Sequence, residues 1–238
     1  MGKSSPIWLF DLDDTLHNAS HAIFPAISQN MNRYIAGLLG DGTTPADAAI
    51  VNAVRQEYWQ RYGATLLGLV KHHGVRADEF LHQAHRFDDL TSMIRAERGL
   101  ARLFKRLPGR KILFTNAPRQ YSRLVLRHLG LHRHFAQHIP IEEMRVHGQL
   151  QPKPSSRFLR KLLARQGLQA RQCILVEDSL ANLRAAKKLG IRTVLVTQYA
   201  QKNLTVKQNN SAACVDVTVK SVFKLAAQQS RLRSKPHT

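Results

Sequence analysis

Residues 173–190 read CILVEDSLANLRAAKKLG and run directly into RTVLVT. The unbroken apolar run CILV lacks the in-and-out alternation of a half-exposed strand, so it reads as a strand buried on both faces. A polar turn follows, then a segment with Leu180, Leu183 and Leu189 at helical spacing, Ser179 as a cap, Lys187 and Lys188 near the end and Gly190 as the stop. RTVLVT begins another strand. Two earlier passages repeat the pattern. KILFTNAPRQYSRLVLRHLG places a strand before Thr115 and a helix whose apolar face includes Leu124 and Leu129, closed by a left-handed Gly130. QPKPSSRFLRKLLARQG opens on a Pro-stiffened loop, offers Ser155 or Ser156 as a cap and ends at Gly167.

Strands alternating with helices predict an α/β fold with a parallel, Rossmann-like sheet covered on both faces, whose ligands sit outside the carboxyl ends of the strands. PIWLF, residues 6–10, supplies one more buried strand. Residues 17–95 differ in texture: they carry helical spacing without a clear strand run, which predicts an inserted α-helical domain. The core is then 1–16 with 96–238. Its segment 201–238 is a basic C-terminal extension, with an edge strand in CVDVTV, a short helix and a frayed tail RLRSKPHT.

The chain has 238 residues and a formal net charge of +20, unevenly placed. Residues 1–95 hold 8 Lys+Arg against 10 Asp+Glu, whereas residues 96–238 hold 28 against 6. Such a surface attracts small phosphorylated anions, or binds nucleic acid nonspecifically as a secondary property, or serves only as a solvated face. No apolar run approaches the roughly 20 residues that cross a bilayer, IWLF is too short for a secretory signal, and Pro6 stands where a myristoylation signal wants Ser or Thr. Cys173 and Cys214 are too few and too isolated for a disulfide framework or a metal knuckle. A soluble protein of a reducing cytoplasm, without a membrane partner, is expected.

What stands at each strand end matters most. Asp11, Asp13 and Asp14 follow the first strand, Thr115 and Asn116 follow KILF, Lys153 lies in the loop before a helix, and Glu177 and Asp178 follow CILV. In one parallel sheet these ends converge on a single cleft. They supply carboxylates, a hydroxyl, an ammonium and open helix amino termini, the inventory for holding a phosphoryl group beside a divalent cation. Asp14 is expected to make turn hydrogen bonds, and Thr15 to order the loop. His72 with His73, and His82 with His85, imitate metal spacing without a third ligand, so exposed helix residues are the expectation. Arg119, Arg123 and Arg127 read as a solvated basic row. HQAHRFDDL suggests His85, Phe87 or Asp88 near the cleft.

Asp11-Leu12-Asp13-Asp14-Thr15, Thr115 with Asn116, Lys153 between two prolines, and Glu177-Asp178-Ser179 with Asn182 resemble the four ordered motifs of the haloacid dehalogenase (HAD) superfamily. The flanks WLFDLDDTLHNAS, ILFTNAP, QPKPSSRFL and VEDSLANLRAAKKLG further resemble its pyrimidine 5′-nucleotidase branch. The resemblance implies that Asp11 is the nucleophile that forms an aspartyl-phosphate and Asp13 the general acid and base, the two delivered to one side by a strand spacing of two. It implies Mg2+ held by the Asp11 carboxylate, the Asp13 backbone carbonyl and the Asp178 carboxylate, with Glu177 nearby, and phosphate held by Thr115, Asn116 and Lys153. Asn182 stands where some members carry Asp. The inserted helices would be a cap that selects the leaving group.

The resemblance thus implies a magnesium-dependent phosphatase for a small phosphorylated metabolite, in first place a pyrimidine nucleoside 5′-monophosphate. A phosphoglycolate or phosphosugar phosphatase, or a phosphosugar mutase, would share every catalytic residue. A metal-free dehalogenase would lack Asp13. A nucleic-acid-binding protein on this scaffold would explain the basic charge but gains nothing from clustered carboxylates, and the chain has no helix-turn-helix, zinc finger or aromatic stacking platform.

Overall fold

The computed structural model describes residues 5–199 and 213–232, which fall into two compact units: the described residues up to 19 together with those from 94 onward, and residues 20–93. Residues 201–212 and 233–238 of the 201–238 extension, including all but two residues of RLRSKPHT, lie outside the described residues. Among the described residues no helix is long and apolar enough to cross a membrane.

The first unit is built on a six-stranded, all-parallel sheet. Its strands are β1 (Ile7–Phe10), β2 (Arg110–Phe114), β3 (Gln137–Ile139), β6 (Cys173–Glu177), β7 (Arg192–Val196) and β8 (Val217–Val219), in the order β3-β2-β1-β6-β7-β8. Register runs Phe10 to Leu113 on one side and Phe10 to Val176 on the other. The order reverses at β1, which places the ligand crevice of such a sheet at the carboxyl end of β1 between β2 and β6.

Each sheet face is covered, which explains strands apolar on both sides. Leu9, Ile112, Phe114 and Leu175 pack with Phe158, Leu159 and Leu162 of α8 (Ser156–Arg165) and Leu183 and Ala186 of α9 (Leu180–Lys187). Phe10 packs on Phe104 of α6 (Leu100–Arg106) and on Phe135, with ring centroids 4.9 and 6.1 Å away. Each buried Leu or Phe is worth about 1.5–3 kcal/mol of transfer free energy.

The caps and stops follow local chemistry. Ser155 caps α8 by accepting from the Phe158 N–H at 3.2 Å. Gly130, Gly167 and Gly190 all take left-handed backbone. Two expectations are corrected. Helix α7 (Arg119–His128) buries Tyr121, Ser122, Val125 and Leu126, while Leu124 is exposed and Leu129 only half-buried, because the buried face runs through Tyr121, Val125 and Leu126. Ser179 stands at the cap position of α9 but makes no side-chain cap; its N–H instead donates to Glu177 Oε1 at 3.3 Å. A hairpin of β4 (Arg145–Val146) and β5 (Gln149–Leu150) turns through His147 and Gly148, both at positive φ, the backbone a two-residue primed turn demands.

The second unit is helical: α1 (Ile23–Leu39), α2 (Ala48–Tyr62), α3 (Thr65–His73), α4 (Ala77–Ala84) and α5 (Leu90–Met93). Tyr34 meets Phe80 edge-on at 5.3 Å. Helices α2 and α3 approach so closely that a Cβ on Gly68 would come within 2.2 Å of the Tyr58 ring, so only glycine fits there. His73 pairs with the Tyr58 hydroxyl at 2.8 Å, His72 with that of Tyr62, and His85 Nδ1 donates to the Leu81 carbonyl at 2.9 Å.

Candidate active site

The strand ends bring their polar residues together at the crevice. Asp11 extends the β1 ladder by one bond, its N–H donating to the Val176 carbonyl at 3.0 Å. The chain then leaves the sheet. The Leu12 carbonyl accepts from the Thr15 and Leu16 N–H groups, Leu12 is fully buried, and Asp14 takes a left-handed φ of 56°. The spacing of Asp11 and Asp13 therefore comes from a tight turn, not from the pleat of a strand. Asp14 is a shaping residue of that turn, since short polar side chains tolerate the left-handed region.

Lys153 is the hub. Its side chain is 3% exposed, and Nζ donates to Asp11 Oδ1 at 2.6 Å and to Glu177 Oε2 at 2.8 Å. Thr15 donates its hydroxyl to Asp11 Oδ2 at 3.1 Å, so both oxygens of Asp11 are oriented. Asn116 holds the backbone of Lys153 in both directions: Oδ1 accepts from the Lys153 N–H at 2.9 Å and Nδ2 donates to its carbonyl at 3.0 Å. The Asn116 side chain is thus spent on the lysine. Thr115 is buried, takes the Ile139 carbonyl through its N–H, and accepts the Ala117 N–H on its hydroxyl at 3.0 Å.

The electrostatics follow from packing carboxylates into a dry place. Burial, then the charge of Glu177, pushes Asp11 up to about 7, against the pull of Lys153. Burial, then Glu177 and Asp11, pushes Asp178 up to about 10. Burial works against the Lys153 ammonium, but Asp11 and Glu177 more than offset it and hold the lysine above its ordinary range.

Among the described residues, one group of three metal-capable side chains converges: Asp11, Glu177 and Asp178, with oxygens all within 4.8 Å of one another. An all-oxygen, mutually repelling set suits a hard divalent cation, which would relieve the repulsion that raises Asp11 and Asp178. Glu177 joins this group, although one of its oxygens is committed to Lys153.

Two neighbours escaped sequence reasoning. Tyr121, in the first turn of α7, donates to Asp13 Oδ1 at 2.6 Å, and His17 Nε2 lies 2.8 Å from the same oxygen. His17 carried a signal, the four-residue offset from Asp13; Tyr121, 108 residues from its partner, carried none. Arg119 departs from the solvated row by pairing with Glu143, its N–H taken by Glu142 Oε1 at 2.8 Å. Arg123 and Arg127 are exposed.

A model of the haloacid dehalogenase-like hydrolase family matches residues 7–190, a stretch that holds every strand-end residue named above. The chain belongs to this family. Phosphate metabolism protein 8 of Saccharomyces cerevisiae is 23% identical over 228 residues, 86% of this chain and 67% of that protein. A HAD phosphatase from Thermococcus onnurineus superposes with a TM-score of 0.62 at 17% identity, covering 96% of this chain and 100% of its own. The HAD-hydrolase YfnB from Bacillus subtilis, solved bound to magnesium, superposes with a TM-score of 0.59 at 15% identity, covering 96% and 100%. At these identities the solved structures speak for the HAD fold.

Proposed function

We propose that this HAD hydrolase is a magnesium-dependent phosphatase acting on a small phosphorylated metabolite, with a pyrimidine nucleoside 5′-monophosphate as the leading substrate. The reading rests on one observation above all: Asp11, at the end of the central strand, lies 2.6 Å from a buried lysine and within an all-carboxylate cluster, a few residues before a second aspartate that has its own hydrogen-bond partners.

Asp11 attacks phosphorus in line and forms an aspartyl-phosphate as the ester oxygen leaves. Attack needs the ionised carboxylate, and Lys153 works in that direction. Asp13 gives its proton to the leaving oxygen, then takes one from the water that attacks the acyl phosphate and frees Asp11. Thr115, the backbone N–H of Asn116 and Lys153 hold phosphate oxygens. Asp11, Asp178 and the Asp13 carbonyl would hold Mg2+, which supplies charge neutralisation for the transferring phosphoryl group. The magnesium-bound YfnB and the phosphatase name of the T. onnurineus protein support this reading, as does the phosphate metabolism named for the yeast relative. The excess of basic residues after position 95 favours anionic substrates.

The test is phosphate release from UMP, CMP, dUMP, TMP, AMP, GMP, phosphoglycolate and several phosphosugars, with magnesium and with Asp11→Asn as the blank. Selectivity for the pyrimidine nucleotides is expected, with no turnover by the blank. Turnover led by phosphosugars or phosphoglycolate replaces the substrate and keeps the chemistry, and activity of Asp11→Asn within tenfold of the parent overturns the covalent route.

A further inference from the structure

Asp13 Oδ1 is the meeting point of two side chains that the reaction scheme leaves unused. The Tyr121 hydroxyl donates to it at 2.6 Å, His17 Nε2 lies 2.8 Å from it, and the hydroxyl and ring nitrogen are 3.5 Å apart. The two come from different segments: His17 closes the turn after β1, and Tyr121 enters from α7 after β2. Both are sealed from solvent, His17 completely.

Burying an imidazole here has a cost, because His17 Nδ1 is buried and meets no hydrogen-bond partner among the described residues. An apolar residue of similar size would avoid that cost, so the bond made by Nε2 is what the position gains. With a carboxylate as its acceptor, Nε2 is the nitrogen that carries the proton. The terminal torsion of an aspartate is broad and loosely held, and two donors on one oxygen narrow it.

We propose that Tyr121 and His17 are positioning residues that set the rotation of the Asp13 carboxyl. The inference rests on the phosphatase reading above. It makes a demand that simple loop stabilisation does not: loss of either bond harms the reaction in proportion to how much the leaving group needs a proton.

The experiment compares kcat/KM on two esters, 4-nitrophenyl phosphate, whose phenolate leaves without help, and a primary alkyl phosphate such as a nucleoside 5′-monophosphate, whose alkoxide does not. This constant reads the steps up to transfer of the phosphoryl group to Asp11. General acid catalysis is worth roughly 10²–10⁴-fold, so Tyr121→Phe is expected to cost the alkyl ester at least about tenfold more than the aryl ester. His17→Met should discriminate in the same sense. His17→Gln, whose amide nitrogen reaches the place of Nε2, should keep the parent ratio. Asp13→Asn marks the far limit of the ratio, and circular dichroism checks that each variant is folded; should Tyr121→Phe not fold, the two His17 variants decide. An equal loss on both esters, or none, while Asp13→Asn discriminates between them, overturns the positioning role and leaves the phosphatase reading standing. No phosphate release by the parent, or an Asp13→Asn variant that fails to discriminate, overturns the reading itself and this inference with it.

Discussion

Asn116 and Lys153, 37 residues apart, exchange two hydrogen bonds between the side-chain amide of one and the backbone of the other, at 2.9 and 3.0 Å. The ammonium of Lys153 therefore inherits its place from the end of β2. Asn116→Ala is expected to lower stability by about 1–2 kcal/mol through the lost bonds. Displacing the lysine by even 1 Å can cost on the order of 10²-fold in rate, so turnover should fall more than stability alone explains. Urea midpoints and phosphate-release rates check both, and an unchanged rate would remove Asn116 from the site's support.

Lys153→Met leaves Asp11 and Glu177 facing each other with no buried cation between them. Breaking a buried ion pair typically costs about 3–5 kcal/mol, partly recovered when one carboxylate takes up a proton. The loss should be larger at pH 7.5 than at pH 5, where protonation is easier. Urea unfolding at the two pH values decides, and an equal loss at both would mean that the lysine acts by packing alone.

Magnesium should stabilise the parent, because a cation that binds only the folded chain adds about 1.4 kcal/mol at ten times its dissociation constant. A rise in Tm with millimolar MgCl2, absent in Asp178→Asn and reversed by chelator, is expected. A Tm indifferent to magnesium would reject the cluster as a cation site.

His138 gives a pH dependence remote from the cluster. Burial first, then Arg119 and Arg123, against the opposing charge of Glu143, pushes it down to about 4, and its Nε2 lies 2.8 Å from Ser122 Oγ. Between about 6.5 and 4 the unfolded chain binds a proton that the folded chain refuses, so stability falls as pH falls through that window. Discounted for solvent screening, the change is about 1–2 kcal/mol. His138→Gln should flatten that part of the stability profile, read as urea midpoint against pH.

The sheet was legible because buried parallel strands are continuous apolar runs, and CILV, KILF and PIWLF each end at a residue the site uses. Gly130, Gly167 and Gly190 punctuated the helices for the reason that left-handed backbone suits glycine. The phase of α7 was not legible: in YSRLVLRHL apolar residues fall on more than one face, and only packing on the sheet chooses Val125 and Leu126 over Leu124. Nor was the use of Asn116, whose amide could equally have met a ligand, or of Tyr121, whose role exists only across the fold. Asp11 and Asp178 could be nominated from their strand ends, but the hub formed by Lys153 and Glu177 needed coordinates.

The insertion of residues 20–93 between β1 and its first partner has a consequence for synthesis. Ile7 is in register with Arg110 and with Cys173, so β1 has no neighbour until about 100 further residues exist. At 5–20 residues per second that is roughly 5–20 s during which an apolar strand, with Trp8 and Phe10 destined for complete burial, waits unpaired. The helical unit, whose contacts are local, can form in that interval. The order of elements along the chain thus separates the strand that bears Asp11 from its first partner by the whole helical unit, and it leaves the nascent protein most exposed to aggregation before β2 emerges.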